Sequence, residues 1–261
     1  MYYEIAIPSY NRSSIIGEKS LALLEKSNVP KHRIKIFLRD EEQKSSYIAS
    51  VGNDYQYVLT GCNGILETRN FLRYYYHEEV NDEIDFVLFL DDDIEEFNVL
   101  ADDCKGLNRV WNFEETLQYM AQTTKDLGFR LFGPSAYNNY FYLNNSVSTS
   151  LKYVIGAFCG LIIDKTKDLI LTDVDHYEDF LFSIEHFIAD GGVVRFNKYC
   201  IKTKYFEQVG GICESMGGLA NRKIKMEENA YYMVDRYGEC CYIKKKKFGY
   251  DLGLNFRYIN E

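Results

Sequence analysis

Apolar residues along this chain fall in short runs separated by polar, turn-forming stretches, and the runs alternate between two periodicities. Tyr3-Glu4-Ile5-Ala6-Ile7 reads as a strand, stopped by Pro8 and the turn-formers Ser9 and Asn11. Ser14 to Ser27 carries Ile15, Ile16, Leu21, Leu23 and Leu24 at the spacing of an amphipathic helix. Ile34 to Leu38 is a second strand. Tyr57-Val58-Leu59 is a shorter third, running into the turn-rich Thr60-Gly61-Cys62-Asn63-Gly64. A helix over Ile65 to Glu79 follows, then Phe86-Val87-Leu88-Phe89-Leu90, an apolar strand that ends abruptly in acid. Strand, helix, strand at this spacing predicts an α/β fold with right-handed crossovers and a mostly parallel central sheet flanked by helices. Ligands of such sheets sit at the carboxyl ends of the strands, where Asp91, Asp92 and Asp93 fall.

The second half is less regular. A helix opening at Asn112 or Glu114 runs through Lys125, and Leu131-Phe132 and Val154 to Ile163 read as strands, the latter interrupted by Gly156 and Gly160. Glu178 to Ala189 is helical and is stopped by Gly191-Gly192. Val193 to Phe196 reads as a last core strand. Beyond it, the pairs Gly210-Gly211 and Gly217-Gly218 flank a loop, followed by a helix near Glu227–Arg236 and strand-like terminal segments. Without a long linker or a repeat, the pattern predicts one compact unit. Residues 1–212 form its ligand-binding body, and 213–261 a small irregular C-terminal extension packed on it.

Composition narrows the class. Apolar residues at 46% support a core, and the longest apolar runs are far too short to span a bilayer. The amino-terminal Met1-Tyr2-Tyr3-Glu4 enters a strand without the basic and apolar regions of a signal peptide. Seven cysteines without regular spacing read as reduced thiols and show no zinc-ligand pattern. The expectation is a cytoplasmic domain. Net charge is −9, unevenly spread: from Arg195 onward, 13 Lys and Arg face 8 Asp and Glu, while the remainder is strongly acidic. The run Lys244, Lys245, Lys246, Lys247 is therefore a candidate contact for an anionic partner, although a solvated strand edge has the same composition.

Three adjacent carboxylates repel one another unless a cation or several donors compensate them. Mg²⁺ and Mn²⁺ prefer oxygen ligands and bridge carboxylates to phosphate oxygens. A strand ending in Asp91-Asp92-Asp93 thus points to metal–phosphate work, though an acidic helix start also gathers carboxylates. Ile7-Pro8-Ser9-Tyr10-Asn11-Arg12 adds a turn, a stacking face in Tyr10 and a phosphate fork in Arg12.

Three stretches taken in order look like GT-A fold glycosyltransferases: Ile7 to Arg12, Gly64-Ile65-Leu66-Glu67-Thr68-Arg69-Asn70, and Phe89-Leu90-Asp91-Asp92-Asp93-Ile94. The later Tyr177-Glu178-Asp179-Phe180, Gly191 to Tyr199 and Gln208-Val209-Gly210-Gly211 resemble, within that fold, the TET-associated glycosyltransferases of phages and the related base J glucosyltransferase. The likeness covers roughly residues 3 to 212. It implies an inverting sugar transfer from a nucleotide sugar, such as a UDP-sugar, to a hydroxymethylated pyrimidine in DNA, with Mn²⁺ or Mg²⁺ as cofactor. By the same resemblance Pro8, Tyr10 and Arg12 belong to the nucleotide pocket, and Arg69 holds the donor. Asp91 and Asp93 chelate the metal, and Asp92 touches ribose or sugar hydroxyls. Glu178 and Asp179 form the acidic pair, with Asp179 as general base. The sequence departs from the group after Gly218, and Gln208 to Ile212 is poorer in glycine than the pattern. A glycan, lipid or protein acceptor, or a non-catalytic nucleotide- or nucleic-acid-binding module, fits the composition as well.

Overall fold

The computed structural model describes residues 1–203, 219–246 and 249–255. Strands β1 (Tyr3–Pro8), β2 (Ile34–Leu38), β3 (Gln56–Leu59) and β4 (Phe86–Leu90) lie parallel in the order β3-β2-β1-β4. Every residue of β1, β2 and β4 is buried, as strands covered on both faces require. The helices are α1 (residues 13–26, passing through a π-turn at Gly17–Leu21), α2 (Glu41–Val51), α3 (Ile65–Tyr74, extended by a π-turn at Tyr75–Glu79), α4 (Phe113–Asp126), α5 (Glu178–Asp190) and α6 (Leu219–Tyr237). Alternate strand residues enter opposite cores. Ile5, Ile7, Ile36, Leu38, Leu88 and Leu90 pack with α1 and α4, whereas Ala6, Phe37, Val87 and Phe89 pack with α3, α5 and α6. Two helical layers thus sandwich the sheet.

The remaining strands are β5 (Glu96–Leu100), β6 (Leu107–Arg109), β7 (Leu131–Ser135), β8 (Val147–Ser148), β9 (Phe158–Ile162) and β10 (Val194–Lys202). They complete a sheet ordered β3-β2-β1-β4-β9-β7-β10-β5-β6, with β8 paired to β10. Strand β9 is antiparallel to both β4 and β7, and β10 is parallel to β7. Consequently β4, β7 and β10 all end at the rim where β1 ends, and this rim gathers Asp91, the segment after Ser135, and Thr203. A hairpin of β11 (Cys241–Lys246) and β12 (Gly249–Leu254) closes the described chain. Its Cys241, Leu252 and Leu254, with Ala230 and Met233 of α6, share the second core.

Two elements differ from the hydrophobic pattern. The expected strand over Val154 to Ile163 shortens to β9, because residues of α5 take the backbone donors that precede it. Val154 N–H donates to Ser183 Oγ (3.1 Å) and Gly156 N–H to Asp179 Oδ2 (3.2 Å). Gly160 remains inside β9 because a side chain there would overlap the Phe132 ring. Strand β10, by contrast, continues well past Phe196, since Tyr199 to Lys202 pair antiparallel with β5. The polar Asn197 and Lys198 conceal that continuation in the sequence.

Candidate active site

Leaving β4, Asp91 is tied to two elements: its N–H donates to the Ala157 carbonyl (2.9 Å) and its carbonyl accepts from Ser20 Oγ of α1 (2.6 Å). The three carboxylates then diverge. Asp92 turns inward, only 4% exposed, and accepts from Ser9 Oγ (2.5 Å) and Arg12 Nη1 (3.0 Å). Ser9 Oγ also bonds the Tyr47 hydroxyl (2.6 Å), which accepts the Arg12 N–H (2.9 Å). Burial pushes Asp92 up to about 6, against the opposing pull of Arg12 and Ser9. Its oxygens thus tie Asp92 to Ser9 and Arg12 of the loop between β1 and α1. Asp93 accepts from Thr203 Oγ1 (2.7 Å) and lies 3.7 Å from Arg12 Nη1. Burial, followed by the charge of Asp91, raises its pKa. The Asp91 side chain is about one-third exposed and pairs with Arg69.

The loop after β1 is shaped by α2. Asn11 adopts a left-handed conformation (φ 54°), which Asn tolerates better than most residues. Gln43 holds it there, its Oε1 accepting the Asn11 N–H (3.0 Å) and its Nε2 donating to Asn11 Oδ1 (2.5 Å). Gln43 and Tyr47 carried no motif in the sequence. Pro8 is buried as the last residue of β1. Tyr10 is half-buried; its hydroxyl accepts from Arg39 Nη1 (2.9 Å), whose guanidinium lies 4.9 Å from the Tyr10 ring centroid. Arg12 is engaged by Asp92 and Asp93, so its fork already meets carboxylates.

Helix α3 brings the acidic motif and the acidic pair together. Arg69 and Arg73 stand one turn apart on its buried face. Arg69 pairs with Asp91 and also, at 3.5 Å, with Glu178. Arg73 donates to Glu178 Oε2 (2.6 Å) and Thr172 Oγ1 (2.7 Å). Burial works against the Arg69 charge, but Asp91 and Glu178 outweigh it and hold its pKa above the ordinary value. For Arg73 burial prevails over Glu178 and the pKa falls. Arg73 had a helical-spacing signal in the sequence, four residues after Arg69.

Glu178 is itself buried and held by two arginines. Asp179 is more open. Its Oδ2 accepts from the Tyr153 hydroxyl (2.5 Å) and from Gly156 N–H (3.2 Å), and burial followed by the Glu178 charge pushes it up to about 6. The Tyr153 ring stacks on Phe180 at 4.1 Å. A side chain at Gly156 would press on both Glu178 and Asp179, so glycine permits this close approach. A recess of about 260 Å³, counting its mouth, is lined by Arg69, Arg73, Gly156, Cys159, Glu178 and Asp179, among others. Just before α5, Tyr177 takes a left-handed conformation (φ 62°) and donates its hydroxyl to Asp251 of β12 (3.0 Å). Lys244, Lys245 and Lys246 are exposed on β11, with Lys246 paired to Asp251. Lys247 and the stretch 208–212 lie outside the described residues.

Among the described residues no group of three or more His, Cys, Asp or Glu converges on one point. Asp91, about one-third exposed, and the more buried Asp93 offer two carboxylates just past the strand's end. Two carboxylates fit a cation that completes its shell with water and phosphate oxygens, as Mg²⁺ and Mn²⁺ do. No helix among the described residues is long and apolar enough to cross a membrane.

Among solved structures the chain is similar to glucosyl-3-phosphoglycerate synthase from Mycobacterium tuberculosis in complex with Mn²⁺ and uridine-diphosphate-glucose. The TM-score is 0.53 at 11% identity, covering 97% of this chain and 86% of that one. A second complex of that enzyme, with Mn²⁺, uridine-diphosphate and phosphoglyceric acid, gives a TM-score of 0.52 at the same identity and coverage. The fold is GT-A-like. No family model matches the sequence, and no curated protein does.

Proposed function

We propose that this protein is a metal-dependent, inverting glycosyltransferase that moves a sugar from a nucleotide sugar, in the first instance a UDP-sugar, to a hydroxymethylated pyrimidine in DNA. One observation carries the reading: Arg69 spans from Asp91 at the end of β4 to Glu178 at the start of α5, so the acidic motif and the acidic pair form one site at the sheet's rim. The similar fold of a synthase crystallised with Mn²⁺ and uridine-diphosphate-glucose supports the donor class. The acceptor class rests on the motif resemblance.

In this reading Asp91 and Asp93 hold the divalent cation, which when bound neutralises the charge that builds on a departing nucleoside diphosphate. Asp92, fixed between Ser9 and Arg12, sets the loop that carries Tyr10, and the partly exposed Tyr10 ring offers a face to the base. Arg69 orients Asp91 and supplies positive charge beside the diphosphate. Asp179, ionised at neutral pH although its pKa is raised to about 6, takes the proton of the attacking hydroxyl. Tyr153 and the Gly156 N–H fix the direction of that carboxylate. Glu178 locks α5 to α3 through Arg69 and Arg73.

The deciding experiment incubates the protein with a panel of nucleotide sugars, Mn²⁺ and DNA containing hydroxymethylcytosine or hydroxymethyluracil, with nucleoside mass spectrometry as readout. Glycosylated nucleoside is expected, and chelation abolishes it. If no donor yields free nucleoside diphosphate, the transferase reading is lost; release of diphosphate without modified DNA removes the acceptor alone.

A further inference from the structure

We infer that α6 and the β11–β12 hairpin clasp the residues just before α5, and that Asp251 and Tyr177 are positioning residues which set the direction of the Asp179 carboxylate. The N-terminus of α5 lacks a side-chain cap. Tyr177, which stands there, has φ 62° and ψ 23°, the left-handed region that glycine and asparagine enter readily and tyrosine does not. A helix start is ordinarily held by an extended residue whose side-chain oxygen accepts from the first turn. A strained residue in that place persists only where its surroundings over-determine it.

The C-terminal elements supply those surroundings. Asp173 Oδ2 accepts from the Tyr232 hydroxyl (2.5 Å) and from Arg236 Nη1 (2.9 Å), both on α6. Asn229 of α6, its amide oxygen turned toward the segment, accepts Asp175 N–H (3.2 Å) and His176 N–H (2.9 Å). Tyr177 donates its hydroxyl to Asp251 Oδ1 of β12 (3.0 Å), and the other Asp251 oxygen meets Lys246 of β11. The Asp173 contacts are exposed on both sides, so water and salt screen them and they contribute little. The Tyr177–Asp251 bond is partly buried and acts at the strained residue itself, so it governs the clasp. Lys246, within the run read as a contact for an anionic partner, is engaged by the same carboxylate.

Two routes lead from Tyr177 to Asp179. The backbone route is short, since Asp179 lies two residues on in the first turn of α5. The ring route passes from Tyr177, edge-on to Phe180 at 5.5 Å, through the stack of Phe180 on Tyr153 at 4.1 Å, to the Tyr153 hydroxyl on Asp179 Oδ2 (2.5 Å). Releasing Tyr177 from Asp251 lets the residue relax out of the left-handed region, rotates the first turn of α5 and draws Phe180 from Tyr153. Asp179 Oδ2 then loses its alignment with Tyr153 and with Gly156 N–H, 3.2 Å away. Glu178 stays held by Arg69 and Arg73 of α3, so the disturbance falls on Asp179 and spares the Asp91 side. The clasp takes its catalytic meaning from the transferase reading, in which Asp179 is the base; its contacts do not depend on that reading.

The test is amide hydrogen exchange at Gly156, followed by NMR, for the full chain and for Tyr177→Phe, Asp251→Ala and Asp251→Asn. Transfer kcat and the KM for the nucleotide sugar are measured in Mn²⁺ on the same proteins, and thermal unfolding reports on the fold. Tyr177→Phe and Asp251→Ala should each speed Gly156 exchange about tenfold, with amides of β4 unchanged. They should lower kcat about tenfold at an unchanged KM, because the loss falls on the base and not on donor binding. Asp251→Asn, whose amide oxygen accepts the same bond, should stay within about threefold of the wild type in both readouts. If Asp251→Ala does not fold, Tyr177→Phe, which removes one oxygen atom, carries the measurement. Unaltered Gly156 exchange in Tyr177→Phe overturns the proposal. So does an Asp251→Asn as damaging as Asp251→Ala, since charge rather than the hydrogen bond would then make the link. Faster exchange in a protein that transfers no sugar keeps the clasp and removes the transferase reading; transfer with unaltered exchange does the reverse.

Discussion

Replacing Arg69 with Met tests the link on which the site depends. The side chain is 5% exposed and faces two carboxylates. Its contact with Glu178 at 3.5 Å corresponds to about 5 kcal/mol of Coulomb energy at an effective dielectric constant of about 20. Most of that is offset by desolvation. Arg73 still neutralises Glu178 in the variant, so the loss falls below the about 3–5 kcal/mol typical when a buried charge is left wholly unpaired. The pair with Asp91 is about one-third exposed on the carboxylate side and adds about 1 kcal/mol or less. Together these give an expected destabilisation of about 2–3 kcal/mol for Arg69→Met, measured by urea unfolding at pH 7.5. Combining Arg69→Met with Asp91→Asn should show a coupling of about 0.5–1 kcal/mol. Donor turnover should fall together with the unfolding midpoint, and Arg69→Lys should restore part of the stability but not the two-sided contact. A stability loss under about 0.5 kcal/mol with normal turnover would refute the idea that Arg69 joins the two acidic groups into one working site.

Asp93→Ala should keep the fold, since among the described residues the Asp93 carboxylate meets Thr203 and Arg12 at the rim, but it should abolish turnover in saturating Mn²⁺; retained turnover would dismiss its metal role. Asp179→Asn should preserve binding of uridine diphosphate and lose transfer. In the wild type, transfer should decline about tenfold per pH unit below about 6 and level off above it, as expected of a base whose pKa is raised to about 6; a flat profile between pH 5 and 7 counts against the assignment. The same upward shifts at Asp92 and Asp179 have a stability consequence of defined sign. The folded state holds these protons more tightly, so their contribution is full below the ordinary 3.8 and is lost as pH rises through about 6. Asp92→Asn should flatten the Asp92 part of that decline in unfolding experiments from pH 4 to 7. Ser9→Ala removes one of two donors to the buried Asp92; its pKa should move higher by NMR titration and the protein should lose about 1–3 kcal/mol. An unmoved pKa would show that the Ser9 bond does not hold this carboxylate.

Much of the first half was legible in the sequence because its information is local. Continuous apolar runs at Ile34 to Leu38 and Phe86 to Leu90 have one physical solution, a strand covered on both faces, and the acid that stops the second run marks the ligand rim. Arg69 lies in the Gly64 to Asn70 stretch, whereas Arg73, one helical turn later, is not marked by any motif. The second half was less readable because its pairing partners are distant in sequence. Strand β5 joins the sheet through β10, about a hundred residues later, and β10 hides polar residues in its middle. The residues that direct Asp179 are the same kind of case: Tyr153 and Gly156 reach it from before β9, and neither carries a motif.

The sequence by itself determined the class of fold and the rim at which the candidate acids stand, because hydrophobic period and chain punctuation are properties of neighbouring residues. Only the tertiary structure decided what surrounds each of those acids. Asp91, Asp92 and Asp93 are identical in type and adjacent in the chain, yet Asp92 is turned into the protein by Ser9 and Arg12, Asp93 is held by Thr203 and Arg12, and Asp91 stays about one-third exposed beside Arg69. Likewise Glu178 and Asp179 are neighbours, and two arginines from α3 bury the first while a tyrosine and a glycine N–H aim the second. The role of each carboxylate is set by which distant donors reach it and by how much water is excluded, and those quantities exist only once the chain has folded.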